Sequence, residues 1–411
     1  MNFGLMGWGM RWWRVTAVVL AAAGVLSSSA SADPVCTRTW VGGATGAWNA
    51  GANWSGGAVP GSADRACVGA GVTVSLTQPT TVGSVSGAGS VTVDGGNVTL
   101  ADSSAVSEIG SLSFVNTGVL SGSSVWHVTS ALSMTSASIG ASSRLVVDTG
   151  AAGTLSGGTI YGTVTNYGTV SVSGRVLGRT GAVFDNQGTL RVNMESGGNA
   201  LDRYVSGDVP SLRNSGTIIK DSGTGWSSVG WTIANAGTIK ATTGTLNFLG
   251  GTGSTVYAHG EWLSSGGTVS LGGNYNTGFD LGFDVSFHGT ISSATVTAAG
   301  FRADSVLAMS GGTLALSSGQ SVSSLLMLSN GSGTIAGTAP LHVTGLLDVS
   351  SGSIAAGGQL VLDAGATGTL RSGTLFGTLT NAGTLSLVGN VGSAARKVTG
   401  WVRQPGGLVW A

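Results

Sequence analysis

Residues 166–172 read Asn166-Tyr167-Gly168-Thr169-Val170-Ser171-Val172, a turn that opens onto alternating apolar positions. The same tetrad, Asn-x-Gly-Thr, returns at Asn186, Asn214, Asn235 and Asn381, with a near copy at Asn116-Thr117-Gly118-Val119. The residues after it alternate again, as in Thr189-Leu190-Arg191-Val192, Thr238-Ile239-Lys240-Ala241 and Thr384-Leu385-Ser386-Leu387. A period of two puts every apolar side chain on one face of a strand. Copies at 166, 186, 214 and 235 lie 20, 28 and 21 residues apart. A short strand and a turn repeated at that period predict stacked coils, a solenoid.

The tetrad has a physical rationale in such a stack. Gly permits the positive φ that a sharp corner needs, and Asn tolerates the left-handed region. Equivalent Asn side chains in successive coils would lie about 4.8 Å apart, close enough to bond to one another as a ladder. Asn116, Asn166, Asn186, Asn214, Asn235 and Asn381 are therefore the expected structural turn residues. Thr opens the next strand, inward Val, Leu and Ile build a continuous core, and outward Ser, Thr and Gly stay wetted without charge.

Composition agrees with that division. Only 8% of the 411 residues are charged, against about 25% in an ordinary globular domain. There are 73 Gly and 6 Pro, yet the regular Val/Leu/Ile alternation argues against a flexible linker. Residues 1–32 read as a signal peptide: Arg11 and Arg14, an apolar run from Val15 to Leu26, and Ala30-Ser31-Ala32 before a cleavage site at Asp33. Export to the cell surface or beyond follows as the expectation, with no stable membrane insertion after cleavage. Cleavage removes two of 17 basic residues and none of the 17 acidic ones, leaving a net charge of −2 and no electrostatic case for nucleic acid. Cys36 and Cys67 are the only cysteines, and in an exported chain they predict a disulfide worth roughly 3 kcal/mol.

Residues 33–70 carry Trp40, Trp48 and Trp54 and read as a terminal cap, with a Trp-lined sugar-binding face as the alternative. The solenoid is expected over 71–390, about 14–17 coils, followed by a tail over 391–411. Within it, 126–174 and 341–389 align without gaps at an offset of 215, with about half the positions identical. The pair GGNVTL at 95–100 and GGTLAL at 311–316 extends the match, giving duplicated blocks 95–174 and 311–389.

The tetrads, together with the opening Trp40 to Trp54 pattern followed by Pro60 and Asp64, resemble the parallel β-helix passengers of autotransporters and related adhesin-like exported proteins of bacteria. The resemblance covers most of 40–390 and implies an all-β, single-stranded right-handed parallel β-helix of the pectate-lyase-like architecture. It implies an extracellular structural or adhesive role, with a glycan or a surface protein as partner. The chain departs from autotransporters in carrying no strand pattern of an outer-membrane barrel, which favours secretion over anchoring. A stalk or delivery portion of a longer exported protein is a further reading.

A polysaccharide lyase or hydrolase is the rival, since enzymes of both kinds use this scaffold. Glycoside hydrolysis needs two carboxyl groups about 5–9.5 Å apart, and the chain has three Glu and no adjacent Asp pair. Two regions could supply a binding or catalytic surface. Residues 191–221 concentrate Arg191, Glu195, Asp202, Arg203, Asp208, Arg213, Lys220 and Asp221 in the long 28-residue interval, where an extra loop should protrude. In the stretch from Phe279 to His288, read as one strand, Phe279, Leu281, Phe283, Val285 and Phe287 alternate inward and leave Asp280, Asp284 and His288 outside. His127 and His342 occupy equivalent places in the two blocks, which points to a structural role. No motif for a catalytic Ser, a metal or a phosphate occurs, so no metal and no cofactor is expected.

Overall fold

The computed structural model describes residues 35–249, 257–258, 260–272, 279–281, 285–298, 300–327, 332–389, 391–393, 398–399, 401–404 and 407–410. The fold is all-β, with 58% strand and 2% helix, wound as a parallel β-solenoid of about 15 turns.

Each turn contributes a strand to each of three parallel sheets. Sheet A includes Arg144–Val147, Thr163–Asn166, Val183–Asn186, Ser211–Asn214 and Thr232–Asn235. Sheet B stacks Ala152–Leu155, Thr169–Val172, Thr189–Val192, Thr217–Lys220 and Thr238–Ala241. Sheet C stacks Gly158–Ile160, Val176–Gly178, Gly198–Arg203, Trp226–Val229 and Thr245–Phe248. Inward positions are buried and outward ones half-buried or exposed, so Val170, Leu190, Ile218, Ile239, Trp262 and Phe287 rise through the interior of sheet B in register. Burying each such side chain contributes about 1.5–3 kcal/mol, and the stack makes that gain depend on both neighbouring coils.

Low in the stack, the long strands Ser84–Asp94, Val106–Val115 and Val125–Met134 bend from sheet A into sheet B. Higher up, Ser286–Ile291, Gln320–Met327 and Pro340–Val349 bend from B into C. Val125–Met134 and Pro340–Val349 are equivalent in the duplication. The second block therefore sits one sheet further round than the first, because an offset of 215 residues is not a whole number of coils.

That rotation and the local backbone divide the tetrads. Asn166, Asn186, Asn214 and Asn235 end strands of sheet A in register, point inward and are buried. Each of the lower three side-chain amides donates to the Oδ1 above it: Asn166 to Asn186 at 2.7 Å, Asn186 to Asn214 at 2.7 Å, Asn214 to Asn235 at 2.6 Å. Asn381 is also buried, but it ends a strand of sheet B with Leu362 below it and lies outside this column. Asn116 departs further: with φ of 46° it is left-handed and exposed, and it donates to Asp94 instead.

The tetrad glycines correct the turn argument. Gly168, Gly188, Gly216, Gly237 and Gly383 do not have positive φ. They are needed for space. A Cβ on Gly188 would lie 2.2 Å from the Gly168 carbonyl oxygen, and one on Gly216 2.1 Å from that of Gly188. The coils close on each other at this corner, and only a hydrogen fits.

At the lower end, the Cys36–Cys67 disulfide forms as expected. Trp40, Trp48 and Trp54 are all buried, with Trp54 edge-on to both others at ring distances of 5.1 and 4.8 Å. Buried indoles plug the coil and offer no sugar-binding face. Parallel pairing begins at Arg38 and continues through Trp401–Gln404, on which Gly407–Trp410 folds back antiparallel. The stacking thus reaches past both ends of the 71–390 span.

The stretch 279–288 is not one strand. Phe279–Leu281 pairs within sheet A, whereas Ser286–Ile291 begins on sheet B. Within it, Val285 and Phe287 are buried, and Phe287 continues an aromatic file with Trp262 and Phe301 at 6.3 Å on either side.

Candidate functional site

The charged stretch 191–221 spans more than one coil, so its side chains circle the solenoid. Arg191 stands on the outer face of sheet B and pairs with Asp221, whose carboxylate also accepts from Asn193 at 2.8 Å. Glu195 is exposed in the turn toward sheet C. Asp202 and Arg203 end a strand of sheet C and are buried. Asp208 is buried in the loop 204–210 that absorbs the long interval, and Arg213 is exposed on sheet A.

The arginine partners of Asp202 and Asp208 come from the coil below. Arg175 donates through Nε and Nη2 to Asp202 Oδ2 at 3.0 and 2.7 Å, and Asn199 adds a bond of 2.8 Å. Burial pushes the Asp202 pKa up, but the bonds from Asn199, Arg175 and the Arg203 backbone, with the Arg175 charge, outweigh it and hold the carboxyl below the usual 3.8. Asp208 follows the same pattern. Burial raises its pKa, while the Thr180 backbone N–H and hydroxyl, the Val205 N–H and the Arg179 charge lower it further than burial lifts it. Arg203 donates Nε to the Gly230 carbonyl at 3.0 Å.

Arg175 and Arg179 fall outside the cluster that sequence reading isolates. The signal that finds them is opposite charge one coil-length apart: 27 residues for Arg175 and Asp202, 29 for Arg179 and Asp208. The same one-coil spacing joins the His127 ring to Asp148 and the His342 ring to Asp363, each 21 residues on and each at 2.8 Å. Both copies of the duplicated block thus carry an identical His–Asp tie between coils.

Lys220 occupies an inward position of sheet B, between Val192 and Ala241, and is fully buried. Its Nζ donates to the Ser222 carbonyl at 2.9 Å, and burial lowers its pKa.

In the second region His288 Nε2 lies 3.7 Å from Asp304. Of Asp280 only the backbone is described, in the sheet A strand, and Asp284 lies outside the described residues. Glu261 lies 3.7 Å from Arg302. Among the described residues no three His, Cys, Asp or Glu side chains gather as a metal site. The cavity between Met327, Ile354, Leu370 and Val391 is an apolar space of about 10 Å³ inside the solenoid, room for at most one water. No family model, curated protein or solved structure matches this chain.

Proposed function

We propose that this chain acts outside the cell as a non-catalytic, adhesin-like β-helix scaffold that holds an extended outer surface toward a glycan or a surface protein. The observation that carries the reading is the fate of the charge cluster. Asp202, Asp208 and Asp221 are each paired with an arginine of a neighbouring coil, the first two at and just past the end of sheet C and the third past sheet B, and these pairs tie coil to coil. Acid–base cleavage of a sugar polymer requires two carboxyls facing one another across an open site. Carboxyls held ionised by an arginine and by backbone N–H groups serve poorly as general acids. Elsewhere the outer positions are dominated by Thr and Ser, as in the register-aligned column Thr169, Thr189, Thr217 and Thr238. The test is a glycan array on the purified mature chain with a polysaccharide-degradation assay alongside. Binding without turnover is expected, and sustained turnover of any polymer overturns the reading.

A further inference from the structure

Arg179 stands apart from the other arginines of its region. Arg175 spends two donors on Asp202, and Arg203 is buried. Of the five donors on Arg179, only Nη1 has a partner among the described residues, Asp208 at 3.4 Å. Its guanidinium carbon lies 4.4 Å from the ring centre of Tyr204 and 5.8 Å from that of Tyr161. The three residues follow successive strands of sheet C, in a column set by the backbone bonds from Arg179 N to Ile160 O and from Tyr204 N to Gly178 O. Cation–π contacts with the two rings restrain the guanidinium, and the Arg179 side chain remains 36% exposed.

The loop beside it is built to stay in place. Asp208 accepts from Thr180 and Val205 and so fastens the loop to the coil below. The same loop leaves Tyr204 47% and Val205 50% exposed where it departs from the strand. A rigid loop that keeps aromatic surface in water, next to a cation with unused donors, is preorganised for a ligand.

We infer that Tyr161, Arg179 and Tyr204 form a docking ledge for an anionic polysaccharide. This deepens, and rests on, the scaffold role proposed above. A planar guanidinium edge receives a carboxylate or sulfate through paired N–H bonds. The exposed part of the Tyr204 ring, with half-buried Tyr161 two coils below, receives the apolar face of a sugar ring. The two rings are two coils apart, roughly 9.6 Å at the strand spacing, the scale of a disaccharide. The ledge lies open on the side of the rod, which suits a polymer lying across it better than a small molecule needing enclosure. Nucleic acid fits less well, since Asp208 stands beside Arg179 and a phosphate backbone requires many cations.

The test is titration calorimetry of the mature chain against polygalacturonate, dextran sulfate and neutral dextran. Binding to at least one acidic polymer and none to dextran is expected, and the two acidic arms separate carboxylate from sulfate recognition. Arg179→Gln and Tyr204→Leu should each weaken binding about tenfold or more. Tyr204→Phe should retain it, as should Arg144→Gln on sheet A. Unchanged thermal unfolding of each variant confirms that the fold is intact. Absence of binding to both acidic polymers, or binding indifferent to Arg179→Gln and Tyr204→Leu, overturns the ledge. Turnover of a bound polymer that still depends on Arg179 removes the scaffold reading and leaves the ledge standing.

Discussion

The Asn ladder makes an unusual prediction about additivity. Asn166, Asn186 and Asn214 each donate upward, so the lowest acceptor, Asn166 Oδ1, is buried without a hydrogen-bond partner among the described residues, and Val147 sits beneath it. Replacing Asn166 by Val moves that orphan up one coil to Asn186 Oδ1, and the number of unsatisfied ladder acceptors stays the same. The expected cost is one net hydrogen bond, about 1 kcal/mol or less after the gain in apolar burial. Replacing Asn186 cuts the ladder in the middle. Asn214 Oδ1 becomes a second orphan, and Asn166 loses its 2.7 Å acceptor while keeping the Thr189 carbonyl at 3.0 Å. An added buried acceptor without a donor costs about 1–3 kcal/mol, so Asn186→Val should cost about 2–4 kcal/mol. The double variant has a single orphan again, at Asn214, and should be more stable than Asn186→Val alone. Hydrogen exchange read by mass spectrometry over residues 160–240 measures this locally, as suits a solenoid whose coils contact only their neighbours. Strict additivity, or a double variant less stable than Asn186→Val, would refute the ladder account.

Three further outcomes follow from the same structure. Gly188→Ala should destabilise by at least about 3 kcal/mol in thermal unfolding, because the new methyl meets a backbone carbonyl at 2.2 Å; Gly181→Ala, at φ +89° with open space around it, should cost only about 1 kcal/mol, and equal costs would contradict the close-approach argument. Lys220 has a lowered pKa in the folded chain, so in the alkaline window below its ordinary 10.5 the unfolded chain binds the extra proton and stability should rise with pH; Lys220→Met should remove that slope, and a slope unchanged in the variant would disprove the assignment. The carboxyls of Asp202 and Asp208 are held below 3.8, so their stabilisation is present above the unfolded value and lost as pH falls through the folded one; acid unfolding of Asp202→Asn and Asp208→Asn should depend less steeply on pH than that of the parent, and identical acid profiles would count against the ion pairs.

Fold class was legible because it rests on period. Alternation in strands such as Thr189-Leu190-Arg191-Val192 and the recurrence of Asn-x-Gly-Thr are properties of the chain alone, and they suffice for stacked parallel strands with an inward core. The disulfide was legible because the signal-like start led to an expectation of export, and a chain with two cysteines has one pairing to make. The site was less legible. The cluster at 191–221 looks compact along the chain, but one coil of winding spreads it over three sheets and hands Asp202 and Asp208 to Arg175 and Arg179. The tyrosines beside Arg179 are 18 and 25 residues away in sequence, and only coil stacking brings their rings to it.

The tetrad shows where the division falls. Sequence by itself determined that Asn and Gly recur at coil spacing, and a ladder follows from that spacing. Which residues join it was decided in three dimensions. Asn381 belongs to a duplicated block rotated by one sheet, and Asn116 turns outward on a left-handed backbone. The reason Gly is required was also tertiary: the backbone there is ordinary, and the carbonyl that forbids a side chain belongs to the coil below. A pattern read along one dimension records what repeats, whereas register between coils decides what each repeat touches.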